Sequence, residues 1–174
     1  MAKTKGLILV NTGDGKGKTT AAFGTLFRAL GRDWKCAVVR FIKGKWHTGG
    51  GMMAERIPEL EFHTCGRGFT WESDNLDKDK ETAQEGWEKA KKFINDPSFQ
   101  LIILDELTYT INYNFLDKED VLETLRNKPE NQHIIITGRD CPPEIIDMAD
   151  LVTEMKMVKH PYEKGIMAQK GIEF

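Results

Sequence analysis

The sequence predicts an α/β domain with a mostly parallel central sheet sandwiched between helices. Three observations predict it. Short apolar runs bounded by turn residues read as strands buried on both faces, segments of helical period alternate with them, and a glycine-rich turn joins the first strand to the first helix.

Leu7-Ile8-Leu9-Val10 is the first such run, and Thr19 to Leu30 then reads as a helix that Gly31 closes in a left-handed cap. Cys36 to Ile42 is β-rich and predicts a second buried strand, and Leu60 to Thr64 alternates as a third would. From Lys78 to Ile94 the residues Ala83, Trp87, Ala90 and Ile94 recur at helical spacing, with Asp77 available as N-cap. Leu101 to Leu104 carries the strongest central-strand signal, ended by Asp105-Glu106. Asp117 opens a helix whose buried side holds Val121, Leu122 and Leu125, and His133 to Thr137 gives a further strand. Pro142 and Pro143 suit the first turn of a short helix running to Ala149, before a last strand over Leu151 to Met155. The long irregular stretches are Lys43 to Gly51, Cys65 to Leu76 and Val158 to Phe174, and loops of that length more often carry function than not.

Composition narrows the function classes. The 174 residues, 40% of them hydrophobic, suffice for one domain with a real core. Lys plus Arg number 25 against 27 Asp plus Glu, so the chain lacks the positive excess of a nucleic-acid binder. Its apolar runs fall far short of the roughly 18 residues that suggest a membrane span. The opening Met1 to Lys5 meets the first strand without a signal-like apolar region, so a cytoplasmic protein is expected. Cys36, Cys65 and Cys141 are too far apart for a disulfide framework or a C-x-x-C site, and the four histidines show no zinc spacing.

The chemistry gathers at Gly13-Asp14-Gly15-Lys16-Gly17-Lys18-Thr19-Thr20. A glycine-rich turn leading into a helix aims backbone N–H groups and the helix dipole at one spot, which suits a polyphosphate. Lys18 would reach the phosphates and the Thr19 hydroxyl would ligate magnesium. The usual loop starts with a glycine five residues before Gly17, whereas Thr12 stands there and the first glycine comes one later, at Gly13. Asp105 and Glu106 supply carboxylates at a strand's C-terminal end, where open α/β sheets bind ligands, and either can serve magnesium.

Several segments together resemble the phosphate-loop-type corrinoid adenosyltransferases (the CobA/CobO/BtuR family). They are Thr12 to Gly24, Phe41 to Gly44, Gly68-Phe69-Thr70-Trp71-Glu72, Leu104 to Tyr109, Ile134 to Arg139, Val158-Lys159-His160 and Ala168 to Ile172, in the family's order over nearly the whole chain. The resemblance implies a single phosphate-loop NTPase-like (RecA-like) domain over residues 1–174. It implies transfer of the 5′-deoxyadenosyl group of ATP to the cobalt of cob(I)alamin or a precursor corrinoid, with release of triphosphate. A reduced cobalt is itself a strong nucleophile, so no residue is assigned to proton transfer. Lys18 and the loop's N–H groups would stabilise the departing triphosphate.

By the same resemblance, the magnesium ligands (manganese being the alternative metal) map onto Thr19 and Glu106, and the triphosphate contacts onto Gly13 to Thr19, with Thr20 beside them. Arg28 is either a further phosphate partner or a solvated helix-end cation. Phe69 and Trp71, an aromatic pair that elsewhere would most simply be core packing, would line the corrin and displace cobalt's lower axial ligand. Withholding that donor from Co(II) makes the reduction easier. Trp46 reads equally as core or corrin-facing, and Glu55 stands near a family Glu that this chain lacks. A flavodoxin-like reductase as electron donor and a homodimer are further implications. Two other readings remain: a phosphate-loop ATPase or small-molecule kinase, and a non-catalytic carrier of ATP and corrinoid.

Overall fold

The computed structural model of the chain describes residues 5–42, 48–65 and 76–174. Its sheet, six-stranded among those residues, runs in the order β3-β2-β4-β5-β1-β6 with every neighbouring pair parallel. The strands are β1 (Ile8–Thr12), β2 (Cys36–Arg40), β3 (Glu61–Thr64), β4 (Leu101–Asp105), β5 (His133–Thr137) and β6 (Leu151–Glu154). The helices are α1 (Lys18–Leu30), α2 (Gly49–Ala54), α3 (Leu76–Ile94), α4 (Leu107–Asn112), α5 (Lys118–Arg126) and α6 (Pro143–Met148).

Alternating side chains along the central strands feed two cores, as a sheet covered on both faces requires. Ala37, Val39, Ile102, Leu104, Ile134 and Ile136 point to one face. The stripe of α3 expected from sequence, Ala83, Trp87, Ala90 and Ile94, is buried against it together with Val121, Leu122 and Leu125 of α5. Cys36, Val38, Leu101, Ile103 and Ile135 point to the other face and meet Ala22, Leu26 and Ala29 of α1. All three cysteines are free and buried.

The structure differs from the sequence-based expectation at four places. Gly31 keeps a right-handed conformation at φ −67°, and the left-handed turn comes later at Asp33, φ 57°. Asp77 lies inside the first turn of α3 and so is not its cap. Gly49–Gly51 are helical rather than irregular, because the Thr48 side chain caps α2 by accepting the Gly51 N–H. The stretch after β4 forms α4, which contains the β-branched Thr108, Thr110 and Ile111 and has poor helical propensity of its own. Tertiary burial of Leu107, Thr108, Thr110 and Ile111 overrides that preference. Asp117 does cap α5, accepting the Glu119 N–H, and Pro143 opens α6. A 3₁₀ turn, Pro161–Lys164, breaks the long final stretch. Among the described residues, no helix is long and apolar enough to cross a membrane.

Polar side chains end every strand: Thr12, Arg40, Thr64, Asp105, Thr137 and Glu154 form the C-terminal rim. At the opposite rim, His133 Nδ1 accepts the Leu7 N–H at 3.1 Å while its ring stacks on Trp34 at 5.2 Å. Burial, then the neighbouring Lys128, lowers the pKa of His133 from 6.5. The unfolded chain therefore takes up this proton first as the pH falls. Stability should be full above pH 6.5 and decline as the pH drops through the folded-state pKa. The urea midpoint is expected to be lower at about pH 5.5 than at about pH 7.5, and His133→Phe should flatten the difference. An unchanged slope in the variant would assign the effect elsewhere.

Candidate active site

The phosphate loop forms where β1 delivers the chain to α1. Parallel pairing of β1 with β6 sets Thr12 opposite Glu154, so the residue after Thr12 lies against the Met155 backbone. A Cβ on Gly13 would fall 2.6 Å from the Met155 carbonyl oxygen, and the residue itself sits at φ +91°. Gly15 is equally confined at 2.7 Å from the same oxygen, to which its N–H donates at 2.6 Å. The displaced first glycine thus answers to a steric demand: Thr12 is still strand, and close approach begins at Gly13. Gly17, φ +114°, then turns the chain into α1.

Lys18 is only 8% exposed and curls back over its own loop, donating to the carbonyls of Gly13 at 2.6 Å and Gly15 at 2.8 Å. Burial lowers its pKa from the ordinary value, Glu106 opposes this, Arg139 adds to it, and Asp14 opposes it again. Those four groups therefore share one electrostatic neighbourhood. Asp14, Lys16 and Thr20 are exposed, and the Lys16 ammonium rests on Glu173.

Behind the loop, β5 lies between β1 and β4, and its last residue joins the two sides of the site. Asp105, fully buried, accepts the Thr19 hydroxyl at 2.7 Å and the Thr137 hydroxyl at 2.8 Å on Oδ1. Its Oδ2 lies 3.4 Å from Nε of Arg40, a guanidinium just 3% exposed that also donates to the Thr48 hydroxyl at 2.9 Å. Burial lowers the Arg40 pKa and Asp105 raises it. Glu106 follows in a left-handed conformation, φ 63°, its N–H donating to Thr137 Oγ1 at 2.9 Å. A non-glycine residue there stores local strain, a feature that clusters at functional sites.

Arg139 reaches the loop from the far side, Nη2 donating to the Asp14 carbonyl at 3.4 Å. Its turn is held by α4: Thr108 Oγ1 donates to the Arg139 carbonyl at 2.6 Å, and Asn112 Nδ2 to that of Asp140 at 3.0 Å. Gly138, φ +140°, has no room for a side chain, since a Cβ would fall 2.0 Å from Thr108 Oγ1. Burial first, then Glu106, pushes the nearby Tyr109 hydroxyl up to about 12.

The structure therefore brings Gly13 to Thr19 together with Asp105 and Glu106. Arg28 is not among them. It lies nine residues beyond Thr19, roughly 13 Å along the helix axis, exposed and weakly bonded to Thr25 at 3.4 Å. Phe69, Trp71 and Trp46 lie outside the described residues. Arg40, Thr137 and Arg139 were missed as site residues by the sequence reading, although the polar end of each buried β run was the signal that could have found the first two.

A family model for ATP:corrinoid adenosyltransferase BtuR/CobO/CobP matches residues 4–174. The chain belongs to that family. Among named relatives, the corrinoid adenosyltransferase of a Sinorhizobium species is 44% identical over 98% of this chain and 81% of its own length. That of Escherichia coli K12 is 44% identical over 98% and 86%. A solved structure of the flagellar accessory protein FlaH from Methanocaldococcus jannaschii shares the fold, with a TM-score of 0.52 at 13% identity, covering 86% of this chain and 70% of that one. For this adenosyltransferase the geometry makes a sharp demand at Gly13. Gly13→Ala should weaken ATP binding by at least about tenfold while the folded state persists, because φ +91° and the 2.6 Å approach both forbid a Cβ. Calorimetric titration with ATP checks this, and wild-type affinity would show that the loop can rearrange.

Proposed function

We propose that this ATP:corrinoid adenosyltransferase uses its phosphate loop to hold a leaving group. Cobalt of the cob(I) corrinoid supplies an electron pair to C5′ of ATP, a cobalt–carbon bond forms, and the C5′–O bond breaks. The bond's electrons depart with the triphosphate, leaving cobalt formally Co(III). Charge therefore grows on the phosphate chain, which the N–H groups of the Gly13 to Thr20 turn other than that of Gly15, and the Lys18 ammonium once it leaves its loop carbonyls, would stabilise. The observation that carries the reading is the Thr19 hydroxyl fixed on Asp105 at 2.7 Å directly behind that loop.

Among the described residues there is no group of three or more His, Cys, Asp or Glu placed to hold a metal. Magnesium does not need one here, since it takes few protein ligands and completes its shell from phosphate oxygens and water. The hard oxygens present fit that requirement. Asp105 is already committed to two hydroxyls and a guanidinium, so the protein ligands would be Thr19 and Glu106, with manganese as a substitute ion. When bound, the metal would neutralise part of the developing triphosphate charge.

Lys18 must leave the carbonyls of Gly13 and Gly15 to serve phosphate; burial lowers its pKa, while Glu106 and Asp14 act in favour of the ammonium. Arg139 adds a second cation beside the loop. Phe69 and Trp71 are proposed to line the corrin and exclude the lower axial ligand. A flavodoxin-like reductase would supply the electron, and a homodimer acting in the cytoplasm completes the proposal.

An anaerobic mixture of ATP, magnesium and reduced corrinoid tests the reaction by loss of the Co(I) spectrum and by phosphorus NMR. Triphosphate with adenosylcorrinoid is expected, whereas ADP would make the chain a kinase or ATPase. Lys18→Ala and Glu106→Ala should each cut turnover by about a hundredfold or more, and wild-type turnover in either would remove that residue from the site. Phe69→Ala and Trp71→Ala should slow adenosylation from Co(II) more than from Co(I). Equal losses from both starting states would reduce the pair to packing.

A further inference from the structure

Segment 155–174 begins and ends on the phosphate loop. At its start, the Met155 carbonyl accepts the Gly15 N–H at 2.6 Å. At its other end, Glu173 Oε1 receives the Lys16 ammonium at 2.9 Å, across 157 positions of sequence. The carboxylate is not a loose surface partner. Its other oxygen accepts the Gln169 N–H at 2.7 Å, and the Glu173 N–H donates to the Gln169 carbonyl at 3.0 Å. Gly171, φ +80°, closes the turn, its N–H donating to the Phe174 carbonyl at 2.8 Å. The Phe174 backbone in turn flanks Gly49, at the start of α2. The Glu173 side chain is 14% exposed, against 49% for Lys16. The Gln169 bond first, then Lys16, lowers the Glu173 pKa.

Lys16 lies between Gly15 and Gly17, so its backbone is part of the phosphate-binding turn while its side chain is a long, flexible ammonium. An ammonium of this kind ordinarily spreads over many rotamers and contributes little to a bound anion. A carboxylate fixed at both oxygens removes that freedom before the nucleotide arrives, which is how preorganisation raises affinity without a new contact. We propose that Glu173 is a positioning residue for ATP: it holds the Lys16 ammonium at the mouth of the phosphate loop and makes the 169–174 turn a wall of the nucleotide site. This rests on the reading that the loop holds the triphosphate of ATP. Glu173 acts through Lys16 and does not itself take part in the chemistry.

Glu173→Gln keeps the size of the side chain and an acceptor for Gln169 while removing the charge that fixes Lys16. Its KM for ATP should rise about fivefold, the scale of one partly exposed charged contact, with kcat and the corrinoid KM within about twofold of wild type. Glu173→Asp should recover part of the loss. Inorganic triphosphate, titrated calorimetrically into wild type and Glu173→Gln, separates the two levels of inference. If wild type does not bind it, the loop reading falls and the proposal with it. If wild type binds and the variant binds equally well, the loop reading stands and the role of Glu173 is overturned. Tighter binding by the variant overturns it too, because the carboxylate would then be competing with phosphate for Lys16. Loss of kcat with unchanged KM for ATP would mark a general structural role and refute positioning.

Discussion

The carboxylate of Asp105 is the constraint on which the site depends. It is fully buried at the end of a central strand and gathers α1 through Thr19, β5 through Thr137 and β2 through Arg40. Burying a charge this deeply is unfavourable unless it is paired and hydrogen-bonded, and removing one partner of such a pair generally costs about 3–5 kcal/mol. The arrangement therefore resists any drift of α1 relative to the strand ends. An ionised carboxylate accepts and cannot donate, so each hydroxyl must turn its hydrogen toward Asp105. The remaining lone pairs of Thr19 are then left for a cation or for water, and the Thr137 oxygen is left to accept the Glu106 N–H. One buried charge fixes the orientation of three neighbours.

Arg40 extends that constraint outward. By donating to Thr48, which also caps α2, it ties the start of that helix to the same carboxylate. Phe62 of β3 covers the guanidinium at 5.7 Å and meets Phe23 of α1 edge-on at 6.2 Å. Gly50 of α2 approaches Phe23 so closely that a Cβ there would fall 2.6 Å from the ring. α2 and α1 thus touch directly through an aromatic ring and indirectly through an ion pair. The wall of the site next to the loop is held from two sides.

Much of the fold was legible because its signals are local. Three- and four-residue apolar runs marked the central strands, and the stripe of Ala83, Trp87, Ala90 and Ile94 marked α3, since each reflects a period that burial imposes on neighbouring residues. The elements that escaped, α2 and α4, have weak intrinsic preference and owe their form to partners distant in sequence. Three glycines and a Thr cap make α2, and buried Thr108, bonded to the turn after β5, anchors α4. Gly31 misled for the converse reason: glycine permits a left-handed cap without requiring one, and the turn was taken by Asp33. The glycine-rich turn between β1 and α1 was legible because eight consecutive residues carry it. The positions of Arg139 and Glu173 were not, because only the sheet order and the return of the chain bring them beside that loop.

The sequence irregularity at Thr12 shows how the two levels join. Read locally, a loop whose first glycine comes one residue late is a variant of uncertain meaning. In the structure, β1 keeps its pairing with β6 through Thr12, and the same register delivers the Met155 carbonyl to Gly15. The position of the glycine is therefore set by the edge strand, which continues into the segment that ends at Glu173. On the proposed function, a loop that releases triphosphate after each turnover needs both a tight cradle and a defined edge. Here the cradle's backbone is held by the beginning of segment 155–174 and its outer lysine by the end of it. The glycine spacing and the Glu173 contact are two consequences of one chain path, and a change in the register of β6 would disturb both at once.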